Sequence, residues 1–277
     1  MLRKGDLTQG GITGTLLHFT LPMMVGSFLQ QCYNIADTLI VGQCIGAGAL
    51  AAVGSAYTLM VFLISVLLGL AMGSGTVFSL HYGAGNHVAL RRSIFSSFVL
   101  IGIVTLILNV AVFIWLDPIL RLLQVPQDIY GMMRSYSWII FCGIVFTFIY
   151  NFYASLLRAV GDSVTPLWFL AVSVVLNIAL DLFFILQLDW GIQGAAAATV
   201  LAQGVAALGI IIYTYRRRPE LRWHHEDMCF DRTCLKEIAS FSTLTCVQQS
   251  VMNLGILMIQ GLVNSFGTAV MAAFAAA

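Results

Sequence analysis

Residues Pro166–Leu186 read PLWFLAVSVVLNIALDLFFIL, and this stretch decides the fold class. It matches the roughly 20 apolar residues that a helix needs to cross a bilayer. It lacks the alternation of a barrel strand. Its single charge is Asp181, and Asn177 lies four residues earlier, on the same helical face. An acid at the centre of a membrane helix costs on the order of 3 kcal/mol, so by default it marks an ion or proton site.

Similar runs lie on both sides: Leu16–Cys44, Leu50–Leu80, Ile94–Leu116 and Met132–Leu157 before it, Ile192–Tyr215 and Lys236–Phe266 after it. Together they predict seven membrane helices in an all-α, polytopic membrane protein. The composition agrees. The 277 residues are 60% hydrophobic and 9% charged, with a mean hydropathy of +0.93, whereas a soluble domain is about 25% charged.

The net charge of +1 hides an asymmetry. A cytoplasmic amino terminus puts Arg3, Lys4, Arg91, Arg92, Arg158, Arg216, Arg217, Arg218, Arg222, Arg232 and Lys236 inside and leaves Arg121 and Arg134 outside. That is 11 against 2 of the 13 basic residues, as the positive-inside rule requires. A seven-helix receptor of the G-protein-coupled type needs the opposite orientation. An intramembrane enzyme lacks a nucleophile with a base, and neither a Walker A sequence, a dinucleotide fingerprint nor a GxSxG elbow occurs. Neither an enzyme nor a nucleic-acid partner is expected.

Cys32, Cys44, Cys142 and Cys246 lie in or beside apolar runs, where cysteine acts as a small hydrophobe, so no disulfide is expected. His224, His225, Cys229 and Cys234 sit close together but match no zinc-finger spacing, and a solvated loop is the simpler reading. The first run is too long for a secretory signal and should stay as a helix.

The chain divides into a six-helix bundle over residues 1–215, a cytoplasmic linker over 216–235, and a further helix with the start of another over 236–277. With a shift of 221, Ile35, Gly46, Ala51, Ala52 and Ala56 fall on Ile256, Gly267, Ala272, Ala273 and Ala277, which suggests an internal duplication. The sequence stops inside an apolar run, so a fragment holding one bundle and the opening of a second is expected.

A second acid, Asp37, lies inside the first run. Asn34 and Gln30 share its face and form a polar stripe. Pro22 removes a backbone hydrogen bond from the same helix and is a candidate hinge. Thr199 and Gln203 repeat the four-residue spacing in the sixth run, and Tyr136 and Asn151 place polar groups in the fourth. Carboxylate, amide and hydroxyl oxygens suit a hard cation, and two neighbouring buried acids equally suit a proton. Interhelical hydrogen bonding alone is the structural alternative for Asn177, Thr199 and Gln203; an interfacial aromatic belt is that for Tyr136. Gly69 and Gly73 give a GxxxG spacing for close packing, and Thr165 followed by Pro166 reads as a helix start.

The segments FTLPMMVGSFLQQCYNIADTLIVG, LHYGAGN, LLRAVGDSVTPLWFLAVSVVLNIALDLFFI and WGIQGAAAATVLAQG, spanning Phe19 to Gly204, resemble the multidrug and toxic compound extrusion family of secondary transporters. A flippase of lipid-linked sugars from the same superfamily is the weaker match. The resemblance implies twelve helices in two bundles, exporting cationic or amphipathic drugs across the plasma membrane in exchange for sodium ions or protons, with no other cofactor. It implies a cation site at Asp37, Asn177, Asp181 and Thr199, with Tyr136 and Asn151 as associated polar positions and Pro22 as the bend point. On this reading the lipid bilayer and a missing carboxy-terminal bundle are the remaining partners, and a chain without that bundle is a transport-incompetent rival.

Overall fold

The computed structural model describes residues 12–223 and 232–276. Every element among them is helical. In chain order these are α1 (Ile12–Cys44), α2 (Ala47–Gly83), α3 (His87–Leu122), α4 (Gln127–Cys142), α5 (Ile144–Ala159), α6 (Val164–Leu182), α7 (Gly191–Arg217), α8 (Arg232–Asn264) and α9 (Thr268–Ala276). A π-helical turn, Phe183–Gln187, extends α6, and a 3₁₀ turn, Pro219–Leu221, follows α7.

Five helices are long and apolar enough to span a bilayer: α2, α3, α6 with its π turn, α7, and α8 from Cys234. The expected fourth span is broken. It divides at Gly143 into α4 and α5, which meet at a 47° bend and count as a sixth span if taken as one. The glycine at the break also sits at a close helix contact. A Cβ built on Gly143 would lie 2.5 Å from Cγ2 of Val200 on α7, so only glycine lets α7 approach this point. The helix α1 carries the polar residues Gln30, Gln31, Asn34 and Asp37 in its second half. Pro22 sits inside this single uninterrupted helix.

The connections follow from local chemistry. The Asn86 side chain accepts the Ala89 N–H at 3.1 Å and caps α3. At the start of α6 the expected cap, Thr165, lies within the first turn, and Asp162 does the capping. Its carboxylate accepts the Thr165 N–H at 3.0 Å and the Thr165 hydroxyl at 2.9 Å. The same carboxylate holds Arg218 at 3.2 Å. Burial opposes the Arg218 charge, but Asp162 outweighs it and raises the guanidinium pKa above its ordinary value.

That ion pair is the first of several contacts that hold the start of the linker segment. Leu221 is buried, and the Trp223 ring packs on Phe95 and Phe98 of α3 at 5.8 and 5.2 Å between centroids. Phe98 in turn meets Phe148, Phe152 and Tyr153 of α5. The first residues after α7 are therefore folded against the bundle. His224, His225 and Cys229 of the histidine–cysteine segment lie outside the described residues.

The most extensive helix pairing joins α8 to α2. Its closeness depends on the GxxxG glycines. A Cβ on Gly69 would lie 2.4 Å from Cys246 Cα, and one on Gly73 2.3 Å from Ser242 Cα. Nearer the start of α2, Gln260 donates to Ser55 at 2.8 Å and to Asn264 Oδ1 at 2.9 Å. Asn264 donates to the Leu123 carbonyl at 2.8 Å. The offset of 221 noted in the sequence also aligns helix ends. Gly46 between α1 and α2 has φ +116, and Gly267 between α8 and α9 has φ +92, left-handed conformations that favour glycine.

Candidate functional site

Two helices far apart in sequence carry the acids. Asp37 is on α1 and Asp181 on α6, and the two carboxyl groups lie close enough to act on each other electrostatically. Asp181 is fully buried and Asp37 partly so. Asp37 Oδ1 and Asp181 Oδ1 are both buried with no hydrogen-bond donor among the described residues. Two carboxylates this close repel unless a positive charge stands between them; at about 4 Å and an effective dielectric of about 20 the cost is about 4 kcal/mol.

The predicted neighbours complete the enclosure. Asn177 is 1% exposed and its amide lies between Asp181 and Thr199; with the amide turned so that both of its ends are matched, it donates to Asp181 Oδ2 at 2.9 Å and accepts the Thr199 N–H at 3.2 Å. One face of α6 thus presents an acid and the amide that orients it, as the four-residue spacing requires. Thr199 on α7 donates its hydroxyl to the Ala195 carbonyl at 3.1 Å and lies 3.3 Å from the Tyr33 hydroxyl. Tyr136 on α4 is buried within electrostatic range of Asp37 and Asp181. Four helices therefore converge on one set of hard oxygens, which fits a monovalent cation or a proton.

Other predicted residues lie beside this centre. Asn34 turns away, donating to the Tyr57 hydroxyl on α2 and to Gln31 Oε1, each at 3.1 Å. Asn151 donates to the Thr147 carbonyl at 2.8 Å, and Gln203 accepts the Thr147 hydroxyl. Asn151 and Gln203 line a cavity of about 380 Å³ whose wall also includes Tyr33, Tyr57, Asn177 and Thr199. That volume falls within the roughly 300–1,000 Å³ of small-molecule sites. Pro22 and Arg158 line an adjoining groove that shares Gln30, Tyr150, Asn151 and Leu170 with this cavity.

Tyr33, Tyr57 and Thr147 were missed by the sequence reading. Tyr33 had a usable signal, since it precedes Asp37 by four residues on the same face. Thr147 likewise precedes Asn151 by four residues, whereas Tyr57 had no such signal, because only the packing of α2 brings it to the wall.

The MatE family model matches residues 22–183. The chain is 33% identical to "Probable multidrug resistance protein YpnP" of Bacillus subtilis (strain 168), covering 99% of this chain and 61% of that protein. It is 31% identical to "Multidrug export protein MepA" of Staphylococcus saprophyticus over 73% of this chain and 45% of that one. It thus spans about three fifths or less of the curated relatives it matches.

Among solved structures, an inward-facing multidrug resistance MATE family transporter superposes with a TM-score of 0.81 at 25% identity, over 95% of this chain and 60% of that one. The Vibrio cholerae MATE transporter VcmN in its bent form gives 0.80 at 27%, over 95% and 59%. These are transporters, not enzymes, and the chain belongs to the multidrug and toxic compound extrusion (MATE) family of multi-span membrane proteins.

Proposed function

We propose that this chain supplies the cation-coupling bundle of an antiporter that exports cationic or amphipathic drugs across the plasma membrane, in exchange for sodium ions or protons. The observation that carries the reading is the Asp37–Asp181 pair, held on separate helices beside a cavity of drug size. The printed names of the relatives, multidrug resistance and multidrug export, support the substrate class.

In this reading the amino terminus is cytoplasmic and the cation enters from outside. It binds between the two carboxylates, with Asn177 holding Asp181 and Thr199 offering an oxygen. Binding neutralises the repulsion and draws α1 toward α6. Pro22, which breaks the backbone hydrogen-bond ladder of α1, gives that helix a place to bend. A ligand shifts a conformational equilibrium only through differential affinity, and the bent form, with the acids together, is the one the cation prefers. Drug bound beside the site is then released as the cavity changes shape.

Asp37→Asn removes one of the two charges and conserves shape. It should abolish cation-driven ethidium efflux in cells that express the transporter while insertion stays normal. Imposing a sodium gradient or a proton gradient separately on vesicles identifies the coupling ion. Undiminished efflux by Asp37→Asn refutes the mechanism.

A further inference from the structure

Arg158 has no place in the exporter reading. It sits at the end of α5, where its Nε donates to the Ala154 carbonyl at 3.0 Å one turn back. No carboxylate among the described residues pairs with it. Asp162, four residues on, is committed to Thr165 and Arg218. A half-buried cation without a counter-charge is costly to keep in an apolar bundle, and its position gives it one function in particular. It lines a groove of about 540 Å³ between α1, α5 and α6, together with Ser27, Gln30, Asn151 and Ser163.

Three features select the occupant. The positive charge calls for an anion, and guanidinium matches phosphate geometry. The levels of chain flanking the groove expose apolar side chains: Leu21 and Met24 on α1, Val164 and Trp168 on α6. The charge bias of the connections places this end at the inner leaflet. We infer that the groove holds the phosphodiester headgroup of an anionic phospholipid from the inner leaflet, with Arg158 on the phosphate, polar side chains around the headgroup and acyl chains along the exposed flanks.

This site stands independently of the exporter reading, since retention of lipid requires no transport. The test is native mass spectrometry of the purified protein in detergent, titrated with phosphatidylglycerol. The wild type should retain one lipid more tightly than the rest. Arg158→Gln should weaken that first site roughly tenfold, the loss expected for one charge-assisted contact. Gly26→Leu tests the groove without touching the charge and guards against a misfolded Arg158→Gln. A Cβ at Gly26 already meets Leu167 at 3.6 Å, so a longer side chain fills the space and should also displace the lipid.

Arg216→Gln with Arg217→Gln, at the exposed end of α7, should leave the first site unchanged. Excess inorganic phosphate should not compete. The inference is overturned if Gly26→Leu retains lipid like the wild type, if the α7 pair weakens retention as much as Arg158→Gln, or if free phosphate empties the site.

Discussion

Replacing Gly73 by alanine should destabilise the protein, although alanine favours a helix. A Cβ at this position would lie 2.3 Å from Ser242 Cα, 2.6 Å from Ser242 N and 2.8 Å from the Phe241 carbonyl carbon. All three are backbone atoms, so no rotamer change relieves the contact. Ordinary carbon separation is roughly 3.5 Å, and α8 must therefore retreat by about 1 Å. That retreat loosens the Ser242 hydroxyl, which donates to the Leu70 carbonyl at 3.2 Å, and the Ser74–Ser242 contact at 3.5 Å. Overpacking of this kind costs about 1–3 kcal/mol, against a gain of up to about 1 kcal/mol from helix propensity.

Gly255 supplies the control. It lies on the same α8 with nothing within 4 Å of its Cβ position, so Gly255→Ala should be neutral or stabilising. Thermal unfolding in detergent, followed by tryptophan fluorescence, measures both. A second readout is disulfide formation between cysteines placed at Ser74 and Ser242, which should be fast in the parent and slowed by Gly73→Ala. Equal melting temperatures and equal cross-linking for Gly73→Ala and its parent would refute the close α2–α8 approach.

Gly143→Ala should destabilise through Val200, whose Cγ2 and Cγ1 would lie 2.5 and 2.9 Å from the new Cβ. Here the obstacle is a side chain, so Val200→Ala should rescue it, and a double-mutant cycle should return coupling of about 1 kcal/mol or more; additivity would exclude the contact. Asn264→Ala should cost about 1–3 kcal/mol, since it strips the Leu123 carbonyl of its donor and Gln260 of an acceptor in a buried network. Asn264→Asp, which keeps the shape but loses the donor, should not restore the melting temperature, and a full recovery would count against the hydrogen bond to Leu123.

Hydropathy and charge placed most of the helices, because crossing a bilayer needs length and apolarity that are written locally. The break at Gly143 was not legible, since IIFCGIVFTF is almost wholly apolar, and the contact that requires glycine there is made by Val200, more than fifty residues away. The folded start of the linker was hidden for a similar reason: RRRPELRW reads as polar, yet Trp223 finds an aromatic cluster assembled from α3 and α5. At the site, the four-residue spacing of Asn177 and Asp181 correctly implied a shared face. The same logic put Asn34 with Asp37, but three residues on a helix leave an angular difference large enough for Tyr57 on α2 to capture Asn34 instead. Local periodicity fixes which face a residue occupies, and the neighbouring helix fixes what it meets.

The division of the acid pair between α1 and α6 matters more to the proposed mechanism than burial does. Two acids on one helix would bind a cation without moving anything, because their separation is set by the backbone. On separate helices, the occupancy of the site becomes a force between those helices. Repulsion of about 4 kcal/mol at about 4 Å is close to the roughly 5.5 kcal/mol that swings a two-state equilibrium from 1:99 to 99:1. In the proposed mechanism, neutralising a pair at that separation would supply much of a conformational swing, and Asn177 would make it act on α1. By tying Asp181 to Thr199 on α7, it makes α6 and α7 the fixed side. The moving side would be α1, which packs most on α6 and whose apolar outer residues are exposed among the described residues. A consequence distinguishes this from simple charge removal: Asn177→Ala should leave both acids in place yet uncouple them from α7. Cation binding by calorimetry should then survive while cation-driven efflux falls, and parallel loss of both would mean that Asn177 is only a ligand.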